Sequence, residues 1–139
     1  MIKSCGAVVY RQLGKQLEFL LIKTKAGNTD FPKGRQEQNE TDLVTATREI
    51  LEETNYHVIF EPNFKEVITF TLLKHGDLKQ VTLFLAKAKE KGNHQIDPDE
   101  ITEVMWMPYE EALKAISFEN SREVLTNAKA YIDTYLLLN

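Results

Sequence analysis

Apolar runs of strand length occur in five places along the chain. They are residues 3–11, 17–24, 66–74, 79–88 and 104–107. Turn-forming residues at 13–15 and 75–77 join the first two and the next two runs into strand pairs. Both faces of segment 79–88 are apolar, which predicts a central strand. Polar residues make 25–30 and 87–98 predicted loops.

Three other segments have the pattern of helices. The first helix is expected at residues 42–54 with Thr41 as its N-cap, and the second begins near Pro108. Ser117 is a candidate N-cap for a third helix that ends near Leu137. Its predicted inner face comprises Val124, Leu125, Ala128, Tyr131, Ile132 and Tyr135. Mixed strands with one central and two terminal helices predict an α/β sandwich, in the wider sense an α+β fold.

The first helix carries an unusual concentration of carboxylates. Glu49, Glu52 and Glu53 fall within an arc of roughly 100° on a helical projection. Each pair of like charges at these spacings costs an isolated helix about 0.2–0.5 kcal/mol, so a positive partner is expected. Hard divalent cations such as Mg²⁺ prefer oxygen ligands, although a charged helix face is ordinarily only solvated. The predicted inner face comprises Leu43, Ala46, Thr47, Ile50, Leu51 and Thr54.

Composition limits the functional classes. The 139 residues predict a single domain, 1–139, and the net charge of −4 argues against binding of long nucleic acid. The lone Cys5 excludes an internal disulfide. No signal peptide or membrane-spanning run is evident, so a cytoplasmic protein is expected. His57, His75 and His94 lack the spacing of metal ligands and are predicted to be solvated.

The spacing upstream of the carboxylates changes how they are interpreted. Gly34-x5-Glu40-x7-Arg48-Glu49-Ile50-x-Glu52-Glu53 resembles the Nudix box, whose apolar last position is filled by Tyr56. One position departs, because Asn55 replaces the second glycine of the box. That glycine ends the helix in a left-handed conformation, which asparagine tolerates at a cost of about 1 kcal/mol or less. The resemblance implies a mixed sheet between helices, with the box as loop–helix–loop.

The resemblance also implies a reaction. The Nudix family hydrolyses nucleoside diphosphates linked to another moiety, using water and a divalent ion, here Mg²⁺ (or Mn²⁺). Either Glu49 or Glu52 would accept the proton from water. Arg48 would pair with Glu52 or Glu40 and hold the carboxylates in place. The implied metal ligands in the box are the Gly34 carbonyl, Glu49, Glu52 and Glu53.

Family members often use a further carboxylate outside the box, shortly before a strand that carries an aromatic residue. Glu100, six residues before Trp106, matches that pattern best, and Glu103 is the alternative. A solvated acidic loop remains the competing interpretation of both.

Other segments are most similar to asymmetrically cleaving dinucleoside tetraphosphatases, which split diadenosine tetraphosphate into ATP and AMP. They include Phe31-Pro-Lys-Gly34 and Lys79-Gln-Val-Thr-Leu-Phe-Leu-Ala86. The resemblance nominates Lys79, then Lys33, for phosphate, and Phe118 and Tyr109 could stack on a base. A small nucleotide is therefore the expected partner. The alternatives are hydrolysis of RNA 5′-triphosphates or oxidised (d)NTPs, and a nucleotide sensor without turnover.

Overall fold

The computed structural model describes residues 1–72, 76–136 and 138. The turn predicted at 75–77 begins at His75, which lies outside the described residues together with Leu73, Lys74, Leu137 and Asn139. The strands are β1 Ile2–Leu13, β2 Gln16–Thr24, β3 Thr29–Asp30, β4 Lys33–Arg35, β5 Tyr56–Thr71, β6 Leu78–Lys91 and β7 Ile101–Pro108. The helices are α1 Asp42–Thr54, α2 Tyr109–Ala115 and α3 Glu119–Tyr131, which continues as a π-helical turn, Ile132–Leu136.

A mixed sheet forms the middle layer. Its strand order is β3-β2-β1-β6-β5, with β4 paired to β1 and β7 paired to β2. β1 and β6 are parallel, from Ile2 opposite Lys79 to Tyr10 opposite Lys87. The other pairs are antiparallel, which confirms the predicted mixed sheet. Both faces of β6 are buried from Val81 to Ala86, as expected of a central strand.

Alternation along β1 separates the core into two layers. Cys5, Ala7 and Val9 face α1 and pack with Ala46 and Ile50. Val8 and Tyr10 face the opposite side, where helices α2 and α3 contribute Ala112, Ile116, Val124, Leu125 and Ala128. The sheet therefore lies between helices, and the predicted α/β sandwich is confirmed.

Strand limits differ from the sequence-based expectation. β5 begins at Tyr56, ten residues before the predicted start, because a register shift between Phe60 and Lys65 interrupts the apolar alternation without ending the pairing. β6 continues to Lys91, so part of the predicted loop is a charged strand end. β3 and β4 are short strands on either side of Phe31-Pro32, stabilised by pairing with β2 and β1.

The ends of α1 follow the local sequence. The Thr41 hydroxyl accepts the Val44 N–H at 3.2 Å, which confirms the N-cap. Asn55 has φ 64° and ψ 25°, which confirms the left-handed position after the helix, and its N–H donates to the Leu51 carbonyl at 2.9 Å.

The predicted inner face of α1 is partly wrong. Leu43 and Thr47 are exposed, whereas Glu49 and Glu53 are 9% and 6% exposed. The helix packs on β1 and β4, and β4 carries Gly34, so the side that contains the glutamates is turned towards the protein. Apolar periodicity did not predict this orientation, because a buried carboxylate interrupts the apolar stripe.

The start of α3 also differs. The Ser117 hydroxyl accepts the Thr29 N–H at 2.8 Å, and the Ser117 N–H donates to the Thr29 carbonyl at 2.9 Å. Ser117 thus ties β3 to the α2–α3 connection, and the helix begins without a side-chain cap. Tyr135 is 70% exposed, so its predicted place on the inner face was wrong. Among the described residues, no helix has the length and apolar character to cross a membrane.

Candidate functional site

The first part of the site is the contact between β4 and the acidic side of α1. Gly34 pairs with Cys5 of β1 and directly faces the Glu49 side chain. A Cβ at position 34 would overlap the Glu49 carboxylate, so glycine is required for this carboxylate to reach the strand.

Glu53 is the most buried carboxylate of this group. Its Oε1 accepts the Lys33 N–H at 3.1 Å. Burial raises the pKa of Glu53 to about 8, and the charges of Glu49 and Glu100 act in the same direction. Burial also raises the pKa of Glu49, again with a contribution from Glu100. The exposed Glu100, nominated from outside the box, therefore lies close enough to act on both carboxylates.

Arg48 is the cation at the centre of the box. Its Nε and Nη2 donate to the two Glu40 oxygens at 2.7 and 2.9 Å, and this pair lowers the pKa of Glu40 to about 2. Nη1 lies 3.3 Å from Glu49 Oε1 and from Glu52 Oε2. Nη2 also donates to the Arg35 carbonyl at 3.0 Å. Arg48 thus contacts both partners proposed from the sequence and connects them to β4.

The arrangement can be compared with the needs of a divalent ion. Across residues 1–72, 76–136 and 138, no three Asp, Glu, His or Cys side chains converge closely enough to bind an ion as they stand. The donor set nevertheless fits a hard cation, because the buried Glu49 carboxylate lies at a glycine that leaves it room and the buried Glu53 carboxylate binds the neighbouring Lys33 N–H. The Glu52 side chain is 43% exposed and Glu100 is exposed, so both have space to turn.

The second part of the site is a pocket of about 380 Å³ beside β4. Of the four nominated substrate-binding residues, it contains Lys33, Lys79 and Phe118. Burial lowers the pKa of Lys79, and the neighbouring charges of Lys33 and Arg35 lower it further. The lining residues are Asp30, Lys33, Ile68, Phe70, Lys79, Val81, Leu83, Phe118, Asn120 and Ser121.

The sequence interpretation did not nominate Asp30 or Phe70 for this pocket. Phe70 lies two residues after Ile68 on the same face of β5 and is 40% exposed. The available signal was therefore an apolar face with a period of two that ends in an exposed aromatic residue. Asp30 carried no such signal. Its place depends on the pairing of β3 with β2 opposite Ile22, which brings a loop residue into the pocket wall.

Other nominated residues lie elsewhere. Tyr109 is not among the residues that line this pocket; its ring packs edge-on against Phe19, with a centroid distance of 6.2 Å, and Lys129 lies 5.4 Å above it. Glu103, the alternative to Glu100, is paired with Lys23 in the β2–β7 ladder.

Aromatic and histidine residues outside the pocket have local roles. Trp106 donates its indole N–H to the Tyr56 hydroxyl at 3.2 Å and packs at the edge of the core layer under α1. The side chains of His57 and His94 are exposed, as predicted, while His75 lies outside the described residues.

Comparisons with known proteins agree with this geometry. The NUDIX domain family model matches residues 2–128. A Caenorhabditis elegans asymmetrical bis(5′-nucleosyl)-tetraphosphatase is 26% identical over 95% of this chain and 97% of its own. An 8-oxo-(d)GTP phosphatase from Mycolicibacterium smegmatis is 26% identical over 99% of this chain, which spans only 44% of that protein.

Structural similarity is greater than sequence similarity. A crystal structure of a C. elegans Ap4A hydrolase binary complex superposes with a TM-score of 0.86 at 25% identity, covering 97% of this chain and all of the other. Enzymes of this family generally use divalent metal ions such as Mg²⁺. The family match, the fold and the box residues show that this chain belongs to the Nudix family and is a Nudix hydrolase.

Proposed function

We propose that this chain, as a single domain of residues 1–139, hydrolyses diadenosine tetraphosphate (Ap4A) to ATP and AMP. One observation carries the proposal, namely that Lys33 belongs to both parts of the site. Its N–H binds the Glu53 carboxylate at 3.1 Å, and its side chain lines the pocket that contains Lys79. A polyphosphate held by the two lysines would therefore lie beside the carboxylates of α1.

We propose that a divalent ion, Mg²⁺ (or Mn²⁺), completes the site. When bound, such an ion supplies Lewis acidity and lowers the pKa of a coordinated water. The raised pKa of Glu53 reflects a buried carboxylate without sufficient positive charge around it, which a cation would supply. The residues that would hold it are the Gly34 carbonyl, Glu49, Glu52, Glu53 and Glu100.

The remaining catalytic tasks belong to Arg48 and Glu52. Arg48 is oriented by two hydrogen bonds to Glu40, and its Nη1 lies between Glu49 and Glu52. It therefore holds these carboxylates near the phosphates. We propose Glu52 as the proton acceptor in preference to Glu49, because the Glu52 side chain is more accessible to water, 43% exposed against 12%.

The apolar part of the pocket suits a nucleobase. Phe118 is 45% exposed and Phe70 is 40% exposed, although both line a cavity. Stacking of a base on such a ring is worth about 1–3 kcal/mol. Lys33 and Lys79 would then meet the phosphates that lead from this nucleoside towards α1.

A substrate panel tests the proposal. The protein with Mg²⁺ would be incubated with Ap4A, 8-oxo-dGTP and 5′-triphosphorylated RNA, and kcat/KM ranked. We expect the highest value for Ap4A, with ATP and AMP as products. A higher value for either other substrate, or production of two ADP molecules, would contradict the assignment.

Two variants test the carboxylate role and the sensor alternative. Glu52→Gln should reduce kcat by at least about a hundredfold, because general base catalysis contributes about 10²–10⁴ in rate. Glu110→Gln is the matched control, since Glu110 is an exposed residue of α2 outside the box. Equal turnover by Glu52→Gln and by the control would refute the mechanism. Tight binding of Ap4A by the wild-type protein without turnover would favour the sensor alternative.

A further inference from the structure

Asp30 is a buried acid in the wall of a pocket that also contains two lysines. It is 4% exposed and lines the cavity together with Lys33 and Lys79. Its Oδ1 accepts the Phe31 N–H at 2.8 Å, which sets the orientation of the carboxylate. A buried charge is costly unless a partner compensates it, so Asp30 needs the cations beside it.

Asp30 forms an ion pair with Lys33 and lines the same cavity as Lys79. Lys33 Nζ lies 3.4 Å from Asp30 Oδ2. Lys33 and Arg35 lower the pKa of Lys79, and the negative charge of Asp30 raises it. Lys33 and Arg35 come from β4, Asp30 from β3 and Lys79 from β6, so three strands bring these charges together. Without the carboxylate, like charges would face one another in a partly buried site.

We propose that Asp30 is a positioning residue of this pocket, the shared counter-ion that keeps the ammonium groups of Lys33 and Lys79 on one wall, where both meet the substrate phosphates. This role rests on the proposed function, because the pocket must receive a polyphosphate. Asp30 would act on the phosphates only indirectly, through the two lysines, because its own negative charge repels phosphate. Its benefit is therefore the geometry of the lysines and the protonation of Lys79 rather than direct attraction.

Asp30→Asn removes the charge of Asp30 but keeps its hydrogen bond, since the amide oxygen can still accept the Phe31 N–H. Asp133→Asn is the matched control, because Asp133 is the partner of Lys129, at 2.6 Å, on the exposed π-helical turn. The probe is ATP, whose affinity is measured by calorimetry at pH 7 and pH 9 in EDTA, so that neither turnover nor a metal contributes.

We expect the loss of affinity between pH 7 and pH 9 to be about threefold larger for Asp30→Asn than for wild type, the size of one lost charge interaction. Lys79 then loses its proton more readily. Asp133→Asn should behave as wild type. Adding Lys79→Arg to Asp30→Asn should reduce the pH dependence to the wild-type level or below it, because a guanidinium stays charged at pH 9.

Three outcomes would overturn the role of Asp30. One is the same pH dependence in Asp30→Asn and wild type. Another is tighter binding by Asp30→Asn at both pH values, which would mean that Asp30 only repels phosphate. The third is equally weakened binding at both pH values with a lower Tm, which would make Asp30 purely structural.

The proposed function fails separately. A wild-type protein that shows the Asp30 effect on ATP but does not cleave Ap4A would overturn the substrate assignment and support the role of Asp30. A wild-type protein that binds no ATP would overturn both.

Discussion

Glu53 makes the metal-free protein sensitive to pH in a calculable direction. Its pKa is about 8 in the folded state, against an ordinary value of 4.5. The folded protein therefore binds a proton that the unfolded chain releases between these values, and the free energy of unfolding falls as pH rises through this window. At pH 8 the ionisation of Glu53 has lowered the free energy of unfolding by about 4 kcal/mol relative to acidic pH, where the group is protonated in both states. Glu49, whose pKa is also raised, adds a loss of the same sign.

Glu53→Gln should remove the Glu53 contribution. The amide oxygen can still accept the Lys33 N–H, but the buried group no longer ionises. We expect the urea midpoint in EDTA to fall more steeply from pH 5 to pH 8 in wild type than in Glu53→Gln, with unchanged m-values. Mg²⁺ should raise the wild-type midpoint at pH 8 and have little effect on the variant.

Glu110→Gln is again the control, because its exposed carboxylate should leave the wild-type slope unchanged. Equal pH slopes in wild type and Glu53→Gln would refute the assignment of the raised pKa to Glu53. If the change in the free energy of unfolding from pH 5 to pH 8 differs by less than about 1 kcal/mol between wild type and Glu53→Gln, water reaches the Glu53 carboxylate and reduces the cost of its burial.

Three further predictions concern α1 and its contacts. Gly34→Ala should lower kcat at least about tenfold while the protein remains folded, because the added Cβ overlaps the Glu49 carboxylate; wild-type kinetics would contradict this contact. Arg48→Lys should lower kcat about 10–100-fold, because one ammonium group cannot reproduce the bidentate pair with Glu40 and also reach Glu52. An unchanged kcat and an unchanged pH–rate profile would count against the positioning role of Arg48. Asn55→Ala should reduce the free energy of unfolding by about 1 kcal/mol, measured by urea denaturation, because alanine resists φ 64°; a neutral effect would show that the helix end relaxes.

Local chemistry accounts for what could be predicted along the box. Thr41 and Asn55 mark the ends of α1 through hydrogen bonds that span only a few residues, so both ends were predictable from neighbouring positions. The spacing from Gly34 to Glu53 likewise carried the reaction class, because it identifies the residues of one loop and one helix.

Long-range packing decided which residues share a surface. Hydrophobic periodicity placed Leu43 on the buried face of α1 and the glutamates on its exposed face. In the structure, contact with β1 and β4 buries Glu49 and Glu53. The side of a helix that becomes buried depends on what packs against it, and a segment of 13 residues contains no record of that partner.

The pocket depends even more on distant pairing. Lys79 reaches it because β6 lies parallel to β1, with Ile2 opposite Lys79, and Asp30 reaches it because β3 pairs with β2. These contacts join residues far apart in the chain, where neither capping nor periodicity contains information. The chain's own motif thus specified the chemistry, while strand register assembled the surface that would select the substrate.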